Sequence, residues 1–519
     1  MAHSDTRRKR SLLAAALIAL SATTVLVGPN AGLGKSLRAS TGAFAPVPLP
    51  NPRIPGFRFP EPAATVVTWA KTNNAMSIDL HAWGIWTALT RLTNEMYNGQ
   101  RLRVFETWVT PGDITETTSA AALARLSRNP DPVAPLEQFS HSLAVGAVAN
   151  LGAVSSGPSG PEATVVGFVK YDPTAEAFIR LNGLLNTANL NALLSAGEAG
   201  VPSFPSTAIA LKPVYLPVTH LVQGRYFMLK TWPGSPALTK DPQTGMYVSN
   251  DNKAFASSEW GQCIWIDVHP TGAPPPDEGT SVDRTCSVNG SSRTTANTYG
   301  VGSFINFQMS ATQAQELNAS AVAHKTQNPD AKAGDYEVLT AMHVATKEIT
   351  RWTWQTFWWQ PNPAMPLAPS TRAMVAARPS QLQGPARHYA GCAAYQELNP
   401  LEPVTGGSNT GQSVYCFNPY LEASAFGPNA NKLPDSQPGM TTLSDGSSVM
   451  TPNDVGVQTN CMSCHEQANY HPGKIGSAPD YTGDRYVDLN DPAFRRTLQA
   501  DFLWSIPLCR VPQARPPSC

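Results

Sequence analysis

The chain has 519 residues, 37 Lys+Arg balanced by 37 Asp+Glu, and only 14% charged residues. A neutral, sparsely charged chain lacks the basic footprint that nucleic acid or an anionic membrane demands of a main partner, so neither is expected as one. Its length predicts two or more compact units, and 47 Pro with 38 Gly predict many loops.

Arg7-Arg8-Lys9-Arg10 is a positive leader, and Leu12 to Val27 is a mainly apolar run of 16 residues ending at Gly28-Pro29. That layout is a secretory signal peptide, short for a spanning helix. No clean A-x-A cleavage site follows, so residues 1–30 read as a signal peptide or an uncleaved signal anchor. An anchor would be the chain's one membrane contact, because no other stretch approaches 18 consecutive apolar residues. Four basic and one acidic residue precede Ala31, which leaves 33 against 36 in the remainder.

Residues 31–63 form a linker, with seven prolines between Pro46 and Pro62. The body is expected over 64–360. Its first element is a helix over Ser77–Asn94, where Ile78, Ala82, Ile85, Leu89 and Leu92 share one face. His81, Trp83 and Trp86 lie on or beside that face, and a lone His in such a stripe reads as a satisfied core residue rather than a ligand. From about residue 163 the pattern changes to strands at Ala163–Tyr171, Ala208–Val218, Arg225–Trp232, Cys263–Val268, Phe304–Met309 and Asp335–Val344. These runs are rich in β-branched and aromatic residues and are punctuated by Pro, Gly, Asn and Asp. A short helix is predicted over Thr312–Ala321. The densest aromatic run, Trp352 to Trp359, alternates as a strand would. It reads first as core, with a cofactor wall or an apolar substrate pocket as the other two readings.

A proline-rich connection over 361–385 leads into a C-terminal region, 386–519. There Asp491-Pro492 has the form of a helix start, and Phe494, Leu498 and Phe502 follow at i, i+4, i+8. Of eight cysteines, Cys263, Cys286, Cys392, Cys416, Cys509 and Cys519 make an even set that after export reads as three disulfides. Sequential pairing, 263–286, 392–416 and 509–519, closes three short local loops.

The other two cysteines lie in Cys461-Met462-Ser463-Cys464-His465. Two thiols at i and i+3 can each add to a haem vinyl group, and the adjacent imidazole then reaches the iron. A zinc site needs two further ligands at suitable spacing, and no second C-x-x-C exists. The motif should open a short helix over Cys461–Asn469, and Arg485, Arg495 and Arg496 are candidates for propionate pairing.

This stretch resembles the haem-binding motif of the c-type cytochrome family. The resemblance covers Cys461 to His465 and implies one covalent haem c, thioether bonds at Cys461 and Cys464, and His465 as proximal iron ligand. It also implies a periplasmic location, on the outer side of a bacterial inner membrane, in agreement with the leader. In small cytochromes of this family the motif lies near the domain start, with a distal Met downstream. Here 54 residues follow His465 and none is Met. The distal position is assigned to Met450 or His388, with Met440, His343 and an open site as alternatives. His471 lies about 9 Å further along the helix axis if the helix continues, too far round to straddle the same iron easily.

The expected fold is α+β: a β-rich centre, sandwich or twisted sheet, with appended helices and a C-terminal helical haem c-binding segment. The expected function is one-electron transfer with a redox partner protein or a small-molecule donor or acceptor. The alternative is a haem-dependent oxidoreductase, peroxidase- or oxygenase-like, using the β-rich region as a substrate domain. No P-loop, dinucleotide fingerprint, zincin motif or Ser/His/Asp order offers a rival chemistry.

Overall fold

The computed structural model describes residues 44–97, 99–116, 166–167, 169–234, 238–240, 247–249, 260–324, 329–407, 411–423, 439–442, 448–451, 460–472 and 486–508. The leader, Arg485 and the Cys509–Cys519 pair lie outside them. The chain divides into two units, Met1–Ala39 and Ser40–Cys519, and every described residue belongs to the second.

Its centre is an antiparallel seven-stranded sheet. Strands β14 (Tyr389–Ala394), β13 (Thr353–Trp359), β12 (Tyr336–Thr346), β5 (Ile209–Val218) and β3 (Val166–Gly167) lie in that order, with β11 (Asn306–Gln308) paired to β12 and β4 (Lys170–Tyr171) to β5. β12 and β13 are buried along almost their whole length, so both faces of the sheet are covered. A second sheet joins β6 (Tyr226–Lys230), β9 (Cys263–Asp267) and β10 (Thr298–Gly300), the last two parallel. The other described strands form two-stranded antiparallel pairs: β1 (Leu92–Tyr97) with β2 (Gln100–Arg103), β7 (Leu238–Lys240) with β8 (Tyr247–Ser249), β15 (Leu398–Asn399) with β16 (Gln412–Ser413), β17 (Gly439–Thr442) with β18 (Ser448–Thr451), and β19 (Asn469–Tyr470) with β20 (Leu498–Gln499).

The helices are α1 (Ala63–Lys71), α2 (Ala75–Leu89), α3 (Pro111–Glu116), α4 (Pro173–Asn182), α5 (Thr187–Ser195), α6 (Ala311–His324), α7 (Arg372–Ala376), α8 (Met462–Glu466) and α9 (Ser505–Leu508). α2 is capped by Asn74, which accepts from the Ser77 amide, and it covers one face of the main sheet. Trp86 stacks on Phe357 at 4.5 Å and meets Tyr389 at 4.9 Å. The indole N–H groups of Trp83 and Trp86 donate to the Met374 and Ala386 carbonyls, which lets two large aromatic side chains be fully buried. A Cβ on Gly84 would lie 1.9 Å from the Phe57 ring, so glycine there admits the proline-rich arm against α2.

The mixed α+β class agrees with the sequence, as do Cys263–Cys286 and Cys392–Cys416. Two features differ. The helix predicted over Ser77–Asn94 ends at Leu89, and Leu92 is a strand residue, 45% exposed. The Asp491-Pro492 start yields only a 3-10 turn, Pro492–Phe494. Arg496 then takes φ +66°, which ends any helix, and Leu498 pairs with Tyr470 instead. The proline-rich 361–385 segment connects β13 to β14, which pair antiparallel in one sheet.

Candidate functional site

Asn460, fully buried just ahead of the motif, sets its entry. Its side-chain oxygen accepts from the Met462 amide at 3.0 Å, and its amide group donates to the Glu397 carbonyl at 2.8 Å. Cys461 is buried and takes φ +60°. The chain then turns into α8, where the His465 amide donates to the Cys461 carbonyl at 3.1 Å. The helix here covers only Met462–Glu466 and gives way to β19. Cys464 lies within α8; its side chain is outside the described set.

His465 is held from the opposite end of the C-terminal region. Its Nδ1 lies 2.9 Å from the Phe502 carbonyl oxygen. A carbonyl only accepts, so Nδ1 carries the hydrogen and Nε2 the lone pair. The rings of Trp354 and Phe502 lie 4.7 and 4.8 Å from the imidazole. Burial pushes the His465 pKa down to about 3, with smaller contributions in the same direction from His343 and Lys212, against the opposing Phe502 hydrogen bond. The imidazole is therefore neutral across the physiological range. A neutral imidazole with Nδ1–H on a carbonyl and a free lone pair at Nε2 is the donor state that an iron or zinc ligand requires. In this respect the residues present fit an axial haem ligand.

The sheet supplies the neighbouring groups. Lys212 on β5, His343 on β12 and Thr356 on β13 are register partners across three strands. The His343 ring lies 4.7 Å from Trp354, which in turn meets His465. Of the four named distal candidates, His343 is thus the one whose described side chain is gathered at the motif. His388 precedes β14 at the far end of the sheet. Tyr389 pairs with Trp359, whereas Trp354 pairs with Ala394, and five residues along a strand span about 17 Å. Met440 and Met450 are register partners across the β17–β18 hairpin, of which only the backbone is described. His471 follows β19 rather than continuing the helix. Arg495 and Arg496 are exposed.

The turn between β12 and β13 ties the motif to the body through three buried charges. Lys347 pairs with Asp501. Glu348 lies 3.2 Å from His81 Nε2, while His81 Nδ1 meets the Tyr395 hydroxyl at 2.6 Å, so His81 is a buried core residue held by Tyr395. Arg351 pairs with Glu466 of α8 and lies 3.5 Å from Glu397. It also donates to the Val404 and Val487 carbonyls.

Sequence reasoning missed Asn460, Lys347, Arg351, Asp501 and the Phe502 carbonyl. A backbone acceptor leaves no mark in sequence, and single charged residues acquire meaning only through partners more than 100 positions away. Trp354 alone carried a signal, through the cofactor-wall reading of its aromatic run. Elsewhere, Cys263, Asp283 and Cys286 converge, but the two sulfurs are joined, and Asp283 accepts from the amides of Thr285 and Cys286. That group is a capped loop. No helix among the described residues is long and apolar enough to cross a membrane.

No family model matches the chain, and neither a curated protein nor a solved structure matches it.

Proposed function

We propose that this chain is an exported c-type haem protein of the periplasm, with one haem c joined covalently to Cys461 and Cys464 and with His465 as its proximal iron ligand. Its role is one-electron transfer with a protein or small-molecule redox partner. The observation that carries the reading is the His465 imidazole: neutral, hydrogen-bonded through Nδ1 to Phe502, and seated in a C-x-x-C-H sequence at the start of a short helix. The C-terminal region around α8, β19 and β20 is the haem-binding segment in this reading. When bound, the haem supplies a one-electron iron centre whose potential responds to its axial ligands and to burial. The residues of this chain orient the imidazole, keep it unprotonated and enclose it between aromatic rings.

A second reading, a haem-dependent oxidoreductase, is favoured by one observation. The β-rich region is not remote from the motif, because His343 and Trp354 on the main sheet bring an imidazole and an indole to the His465 side. A base within reach of a ligand-binding iron is what such chemistry needs. Visible spectra of the reduced, exported protein with and without CO separate the two. A six-coordinate low-spin spectrum that CO leaves unchanged fits the carrier. Rapid CO binding by the wild-type protein fits the oxidoreductase.

A further inference from the structure

Asp501 and Phe502 are consecutive non-glycine residues with positive φ, +46° and +75°. Left-handed conformations are disfavoured for side chains with a Cβ, and bulky residues there persist only where the surroundings over-determine them. Here they do. Asp501 accepts from the Lys347 ammonium, from the Trp352 indole N–H at 3.3 Å and, through its other oxygen, from the Phe204 amide at 2.9 Å. The Phe502 ring stacks at 12° to Trp352. Lys347 and Trp352 both belong to the β12–β13 turn, so the main sheet grips the segment that presents the Phe502 carbonyl to His465. Among the described contacts, Asp501 makes none with the His465 imidazole.

We propose that Asp501, clamped by Lys347 and Trp352, is a positioning residue: it holds the 501–502 turn so that the Phe502 carbonyl fixes His465 as the Nδ1–H tautomer with its lone pair on Nε2. The tautomer claim concerns the chain itself; its consequence for iron rests on the proposed haem function. A clamp on the acceptor of a ligating histidine tunes the ligand's basicity without entering the ligand set. Any substitution that frees the carbonyl lets the imidazole exchange tautomers or turn.

The test uses the full-length chain labelled with 15N-histidine, expressed without haem attachment, with the His465 signals assigned by His465→Gln. Long-range 1H–15N correlations report the tautomer. Wild type and Lys347→Arg should show the Nδ1–H form, because Arg keeps the charge that pairs with Asp501. Asp501→Ala and Lys347→Met should lower the Nδ1–H to Nε2–H ratio at least threefold while retaining a native near-UV spectrum. In the haem-loaded protein the same two variants should raise the midpoint potential, since a less basic imidazole stabilises ferric iron less. Folded Asp501→Ala or Lys347→Met with a wild-type ratio overturns the inference. A clamp-dependent tautomer in a chain that never acquires covalent haem leaves the positioning role standing and removes the haem reading; covalent haem with a clamp-independent tautomer does the reverse.

Discussion

Two titratable residues, the half-buried His465 and the buried Asp79, pull the stability of the unloaded chain in opposite directions with pH. His465 has its pKa pushed down to about 3, so between there and about 6.5 the unfolded chain binds the extra proton and stability falls as pH falls. Burial raises Asp79 to about 7. Its folded form therefore holds a proton that the unfolded form has lost above about 4, and stability falls as pH rises through 7. Between about pH 4 and 6.5 the two slopes oppose each other. Asp79→Asn should therefore make stability climb more steeply with pH, by up to one proton or about 1.4 kcal/mol per pH unit. His465→Gln should tilt it the other way. Denaturant titrations across pH 4–6.5 measure both, and two unchanged slopes would contradict the assignment. At this scale the motif cysteines and His465 were legible because they are adjacent in sequence. The approach of His343 to the motif was not, because it depends on β12 pairing with β13.

The element that organises the site is the turn between β12 and β13. Its Lys347, Glu348 and Arg351 each bind a different part of the chain: the 501–502 turn, α2 and α8. Glu348 has no exposed side-chain surface and also accepts from the Thr346 hydroxyl and the Glu61 amide. Breaking a buried pair by removing one partner costs about 3–5 kcal/mol. Glu348→Ala should lose that much in urea unfolding, and a loss below about 1 kcal/mol would show that the cluster does not hold α2 to the sheet. Strands were legible from alternation and β-branching, and β5, β6, β9, β11 and β12 fall close to the expected runs. Helix starts were less so. Asp172-Pro173 opens α4, with Asp172 accepting from the Thr174 and Ala175 amides, and the following Ala175 and Ile179 bury into the core. Asp491-Pro492 has the same local chemistry, yet tertiary pairing of Leu498 with Tyr470 takes the chain away after one turn. Local caps begin a helix, and the packing beyond them decides its length.

At the scale of the described residues, a large hydrophobic cluster runs from Phe44 through the main sheet to Ile506, and a smaller one joins Val66, Ile78, Ile349 and Tyr395. Composition registers loops, and it carries no information on which strands a loop reunites. Trp86 stands near the middle of this core; Trp86→Ala should destabilise by about 3–5 kcal/mol, and a cost below about 1 kcal/mol would contradict the packing described. The Cys392–Cys416 disulfide fastens β14 to the segment carrying Phe417 and Asn418, whose amide group donates to Thr356 and Phe357. Cys392→Ser with Cys416→Ser should cost about 3 kcal/mol, the scale for a loop of this length, while leaving any covalent haem in place.

The proposal as a whole turns on a bond between porphyrin and protein. The direct measurement is mass spectrometry of the denatured, protease-digested protein after export in a cell that attaches haem c. The peptide spanning Cys461–His465 should carry one porphyrin, and Cys461→Ala with Cys464→Ala should remove it. An exported, folded chain whose Cys461–His465 peptide has the unmodified mass would contradict the account.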